Sequence, residues 1–303
     1  MGKKIALSLL AVILTGLLAH PAFAHNFVQN SNSDLIAKIQ EFKTESNLVA
    51  DNISNSTLAQ WHVSKSQEYF GSNEISGLAQ SNSTLASNIS TAIDDLYSQP
   101  GQPNVDPAVA AQKASALNQM LDQAESAEIN VSDQNNSTIQ SLAIIGVLNE
   151  ALKDYGDAIG STVDLTNMSN MNMGSMSGMQ SGNNMQGMTG KSSTAIVNVA
   201  AYQSAQALTD TAQTMFNNLE SIAPSSSSPY LDKIGNALMD LKQAINSKES
   251  GNNVMMIVHM QIHPNFISGF NLQIIPEFPM PILLVLISLI GMVVMSRVFP
   301  RVL

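Results

Sequence analysis

Apolar residues recur at helical spacing along most of this chain. Leu35, Ile36, Ile39 and Phe42 open the series, and a second helical segment, 57–70, follows the cap-like pair Asn55-Ser56. A third, 74–97, carries Ile75, Leu78, Leu85, Ile89, Ile93 and Leu96 along one stripe. Gln99-Pro100-Gly101-Gln102-Pro103 breaks the pattern, and Asp106-Pro107 then reads as an N-cap with proline at the first helical position. That helix is expected to reach about residue 127. Beyond a polar stretch, 130–136, the next helix spans 137–159 with Ile139, Leu142, Ile145, Leu148 and Leu152 on its face. Residues 194–222 predict a long helix bearing Val199, Tyr202, Leu208, Met215, Phe216 and Leu219. After a joint at 224–228, the last helix covers 230–245 with Leu231, Ile234, Leu238, Leu241 and Ile245.

Residues 254–262 behave differently. Met255, Met256, Ile257, Val258 and Ile262 make a dense apolar run that stops at Pro264. Its period does not separate a strand from a packed extended segment. The expected fold is all-α: an antiparallel helical bundle with a long Met-rich loop and a C-terminal transmembrane helix.

The two ends set the expected topology. Lys3 and Lys4, an apolar run over 5–18, and Ala22-Phe23-Ala24 form the three parts of a signal peptide. Cleavage after Ala24 makes His25 the first mature residue. At the other end, an apolar stretch over 280–295, extended by Phe278 and Val298-Phe299, precedes Arg297 and Arg301. Basic residues after a span stay in the cytoplasm, so the bulk of the chain is expected outside, held at the cell membrane or cell surface. The organisation predicted is a signal peptide (1–24), a helical region (25–165), a flexible Met-rich loop (166–191), a helical hairpin (192–250), a membrane-proximal stem (251–275) and a terminal anchor segment (276–303).

Composition narrows the chemistry. Only 12% of the 303 residues are charged and 5% aromatic, which gives a thin core, and the net charge of −10 argues against nucleic acid as a partner. There is no cysteine, so disulfides are absent and any soft-metal site has to use methionine or histidine. Phosphate-cradling glycine loops, nucleophile elbows and zinc-protease motifs are missing, and no enzyme is expected. The acids Glu41, Glu45, Asp94 and Asp95 are expected to be solvated on polar helix faces. The sequons at Asn52, Asn55, Asn82, Asn88, Asn130, Asn135, Asn136 and Asn167 are glycan acceptors in principle.

The informative stretch is 168–188. Met168, Met171, Met173, Met176, Met179, Met185 and Met188 lie there among Gly, Ser, Asn and Gln. Methionine usually fills cores, but here it has no apolar company. Thioether sulfur is a soft neutral ligand that favours Cu(I), and M-x-x-M or M-x-M spacing lets two or three wrap one ion. The stretch resembles the Met-rich segments of extracytoplasmic copper chaperones, copper-transporter entry tails and copper-resistance oxidases. His25 as a free N-terminus offers its amine and ring nitrogen to Cu(II), resembling the mature N-termini of exported copper proteins and copper monooxygenase subunits. Other candidate metal ligands are His62, beside Trp61, and His259 with His263, which have Met260 between them and Met255 and Met256 nearby.

Ile275-Pro276-Glu277-Phe278-Pro279, directly before the apolar stretch and its basic tail, resembles the PEF-type C-terminal sorting signal of archaeal surface proteins. The resemblance covers about the last 27 residues. It implies processing near Pro276-Glu277-Phe278 by an archaeosortase-like transpeptidase and transfer to a lipid anchor; a plain membrane anchor is the alternative. Three functional expectations result. The chain is an exported, membrane-anchored copper-binding protein that captures or buffers copper outside the cytoplasm, with a copper enzyme as a candidate recipient; or it is a structural or interaction protein of the cell envelope without metal binding; or it is an accessory subunit of a membrane copper monooxygenase.

Overall fold

The computed structural model describes residues 25–28, 30–168 and 194–276. The signal-peptide segment, most of the Met-rich stretch and the apolar stretch after Pro276 lie outside the described residues.

The described chain is all-α apart from one short strand pairing. Strand β1 (His25–Phe27) pairs with β2 (Ile274–Pro276). Between them run α1 (Ser31–Asp51), α2 (Ser56–Tyr69), α3 (Ser72–Ser81), α4 (Ser83–Tyr97), α5 (Pro107–Glu128), the single turn α6 (Val131–Gln134), α7 (Ser137–Ala158), α8 (Val199–Ile222) and α9 (Ser228–Asn246). A last helical run consists of α10 (Gly251–Met256), a π-helical segment (Ile257–Ile262) and α11 (His263–Phe270). Phe27–Gln273 is one compact unit; the two chain ends, including most of the strand pairing, are assigned to a second.

Asparagine sets most helix starts. The side chains of Asn30, Asn55, Asn130, Asn136 and Asn198 accept hydrogen bonds from the first-turn N–H groups of α1, α2, α6, α7 and α8, and Asp106 does the same for α5 ahead of Pro107. Asn82 explains a departure from the predicted pattern. The stripe from Ile75 to Leu96 looks continuous, yet Asn82 leaves the helical backbone (φ −146°, ψ 82°) and accepts from Leu85 N–H, ending α3 and starting α4. The capping preference of one asparagine overrides a period that would otherwise run on.

The cores follow from α1, which packs against α2, α5, α7 and α8. Ile39, Phe42, Val49 and Ile53 face one apolar cluster with α2 to α5, including Leu78, Leu85, Ile89, Leu96, Leu117 and Leu121. Ile36 and Ala37 face a second, built from α7, α8, α9 and the last helical run, with Ile139, Ile145, Leu148, Leu152, Leu208, Phe216, Leu238, Leu241 and Phe266. Each fully buried side chain of this size contributes about 1.5–3 kcal/mol.

The run at 254–262 is a helix, not a strand, and it is packed onto α9 and α7 within the body. Pro264 does not stop it. A proline inside an α-helix lacks the N–H owed to the carbonyl four residues back and clashes with that carbonyl. Here His263 N–H donates to Val258 C=O, an i→i−5 bond, so the backbone widens into a π-helix ahead of Pro264 and α11 continues beyond it. Asn271, in the left-handed region (φ 52°), ends the run. Among the described residues no helix is long and apolar enough to cross a membrane.

Candidate functional site

Two groups of chemistry-bearing side chains stand out, and they lie on different helices.

The first is a methionine and histidine cluster at the last helical run. Met255 and Met256 are buried, and Met168 and Met260 pack against them. Met168 is the first methionine of the Met-rich stretch, so the root of that stretch sits on the three methionines of α10 and the π segment. Its approach is fixed by Leu165, which is buried between two glycines. A Cβ at Gly251 would come within 3.1 Å of Leu165 Cδ2, and one at Gly156 within 3.5 Å of its Cγ. The carbonyl of Leu165 accepts a hydrogen bond from His259 Nε2–H at 3.1 Å. A carbonyl only accepts, so the proton of that bond is on Nε2. The His259 and His263 rings meet edge-on, centroids 5.0 Å apart, and Phe27 makes a second edge contact with His263 at 5.2 Å. Both histidines are buried. Asn252 points its amide at Met256 Sδ, 3.8 Å away.

The second group is a charged core between α1, α2, α7 and α8. Glu45 and His62 are both 0% exposed, with His62 Nδ1 2.7 Å from Glu45 Oε2. His62 Nε2 is 3.2 Å from Gln203 Oε1, and Gln203 Nε2 donates to Asn52 Oδ1 at 3.1 Å, so the amide oxygen is left to accept from the ring. Both ring nitrogens of His62 therefore face acceptors. Lys65 Nζ lies 2.6 Å from Glu150 Oε1 and 2.9 Å from Asp154 Oδ1, and Tyr69 O–H donates to Glu150 Oε1 at 3.0 Å. Burial pushes the Asp154 carboxyl up to about 8, against the pull of Lys65. Burial, reinforced by Glu150, pushes Glu41 up to about 8 as well. Glu150 is also penalised by burial, but Lys65 and Lys153 hold it below the usual carboxylate range. Lys65 in turn sits above its usual range, because Asp154 and Glu150 outweigh the cost of burying it.

Neither family models, nor curated proteins, nor solved structures match this chain.

Against the sequence expectations, the structure brings Met168, His259 and His263 into one neighbourhood, with Met255, Met256 and Met260. His62 is elsewhere, held in the charged core by Glu45 and Gln203. His25 lies in β1, and Met171, Met173, Met176, Met179, Met185 and Met188 lie outside the described residues. Glu41 and Glu45, expected on a solvated face, are buried, because α1 is enclosed by four helices; Asp94 and Asp95 are exposed as expected. The signal for the charged core was present in the spacing of Glu41/Glu45, His62/Lys65 and Glu150/Asp154, each pair three or four residues apart on one helix face. The role of the Leu165 carbonyl had no sequence signal. Among the described residues no three of His, Asp and Glu are placed to hold a metal together. A polar cleft of about 620 Å³ between α1 and α8, lined by Gln40, Lys43, Thr44, Thr211 and Asn218 among others, touches neither group. Several sequon asparagines, Asn55, Asn82, Asn130 and Asn136, double as helix caps.

Proposed function

We propose that this is an exported, membrane-anchored protein that captures or buffers copper outside the cytoplasm. The bundle is its antiparallel scaffold, the stretch 168–188 its long Met-rich capture loop, and the apolar stretch 280–295 its C-terminal transmembrane anchor. The carrying observation is the docking of Met168 on Met255, Met256 and Met260 beside His259. Four methionines meeting at the root of the loop give it a second set of soft donors. Thioethers keep their lone pairs at any working pH, so capture by this loop does not depend on a proton being lost. His25, at the predicted mature N-terminus, adds a Cu(II)-binding amine and imidazole. The PEF-like signal supports processing by an archaeosortase-like enzyme at the membrane, and a surface copper enzyme is the natural recipient of the ion.

The test is the copper content of the exported portion, residues 25–275, made with its native N-terminus and dialysed against buffered Cu(I). The control replaces the seven loop methionines with leucine. Binding by the native form that falls in the control supports the reading. No binding at free copper levels a cell tolerates overturns it in favour of a structural envelope protein.

A further inference from the structure

We infer that Met168, Met255, Met256 and Met260, with the imidazole of His259, form a folded site for one soft monovalent cation, Cu(I), at the root of the Met-rich stretch. This rests on the copper reading above and goes beyond it, because it places a defined ion in the body of the protein and not only along the loop.

Segregation is the first argument. Seven methionines fall within the described residues: Met120, Met168, Met215, Met239, Met255, Met256 and Met260. Four of them share one cluster that contains no other apolar residue type, while the two main cores, built from Leu, Ile, Val, Ala and aromatic rings, take in only Met215 and, at the edge, Met120. Methionine used as core filler is scattered where gaps arise; here it is collected. Helix winding is the second argument. The i→i+5 turn brings positions four and five apart to one side, which gathers Met255, Met256, His259 and Met260 from a short stretch of sequence. Pro264, which makes that winding favourable, therefore also shapes the site.

Histidine chemistry is the third. A metal-bound imidazole almost always donates its other N–H to a carbonyl or carboxylate, which orients the ring and raises its basicity. His259 makes that bond with Leu165 O. Charge then selects the ion. Four thioethers and one neutral imidazole supply no negative charge, so a divalent ion would carry its full charge into a buried site, whereas Cu(I) brings one and prefers these soft donors. Access is provided for: Met255 and Met256 are 2% and 6% exposed, while Met168 and Met260 are only partly covered.

The experiment titrates the full-length chain in detergent with Ag(I), a redox-inert soft monovalent cation, and with Cu(I) against a competing chelator, while NMR follows the imidazole signals. Three forms are compared: native, a site variant (M255L, M256L and M260L), and a loop variant (M171L, M173L, M176L, M179L, M185L and M188L). Leucine conserves volume, and circular dichroism verifies that the helices remain. The proposal expects the loop variant to keep one ion with native affinity and with a shift of the His259 signal. It expects the site variant to bind that ion at least tenfold more weakly and to lose the shift. His259→Gln, which retains a donor for Leu165 O, should also weaken binding at least tenfold. Loss of all tight binding in the loop variant with none lost in the site variant overturns the folded site while leaving copper capture intact. No binding by the native chain overturns both.

Discussion

Replacing Lys65 with methionine should destabilise the protein by an amount that grows with pH. Lys65 is the cation within 3 Å of both Glu150 and Asp154, and its side chain is 6% exposed. Removing one partner of a buried ion pair typically costs about 3–5 kcal/mol, because the other charge is left unpaired. Two features of the site modulate that cost. Glu150 keeps Lys153 at 3.1 Å, so it is not stranded. Asp154 and Glu41 already titrate near pH 8, so below that pH each removes its own unpaired charge by holding a proton. The loss at pH 6 should therefore fall below that range, under about 3 kcal/mol. Above pH 8 the native Asp154 ionises against Lys65, while the variant has to keep its proton, and each further pH unit adds about 1.4 kcal/mol. Urea unfolding of residues 25–275, followed by far-ultraviolet circular dichroism at pH 6 and pH 9, measures both. An equal loss at the two pH values would refute the reasoning, since it would mean that Asp154 does not depend on Lys65 for its charge.

Glu41→Gln probes the same core with the opposite sign. The folded pKa of Glu41 is raised, so its contribution is fully present below pH 4.5 and is lost as pH rises through about 8. The variant should melt close to native at pH 4 and at a higher temperature than native at pH 9; parallel melting curves across that range would remove the buried-acid account. Leu165→Ala should cost about 2–5 kcal/mol as a core truncation and also weaken Ag(I) binding, because it loosens the carbonyl that orients His259. Unchanged Ag(I) affinity in a destabilised variant would separate Leu165 from the site. Asn82→Ala should cost about 1 kcal/mol by removing the cap of α4. A gain in stability and helicity would show that α3 and α4 are able to fuse.

Much of the helical framework was legible because local signals agreed with each other. Asp106-Pro107 marked the start of α5, and the stripe Ile139, Ile145, Leu148, Leu152 became the buried face of α7. Where tertiary context decides, the sequence misled. Glu41 and Glu45 look like solvated acids on a polar helix, but α1 packs against four helices and, between its ends, leaves only a narrow strip with Asp34 and Asn47 exposed, so the charges on its covered faces have to find partners inside. Residues 254–262 gave no period, because an i→i+5 winding matches neither the strand nor the α-helix template. The methionines and histidines of that segment were visible as candidate ligands, yet their meeting with Met168 depends on Leu165 seated against Gly156 and Gly251, a contact that joins distant parts of the chain.

The hydrogen bond from Val28 N–H to Gln273 C=O, 3.0 Å long, joins the beginning of the body to its end. The chain therefore enters and leaves the body at one point. A pull applied at residues 28 and 273 would meet that hydrogen bond before it met the helices between them. With its two ends held together in this way, the size of the body and the spacing of its entry and exit are set separately: helices can lengthen between them while that hydrogen bond keeps the ends in place.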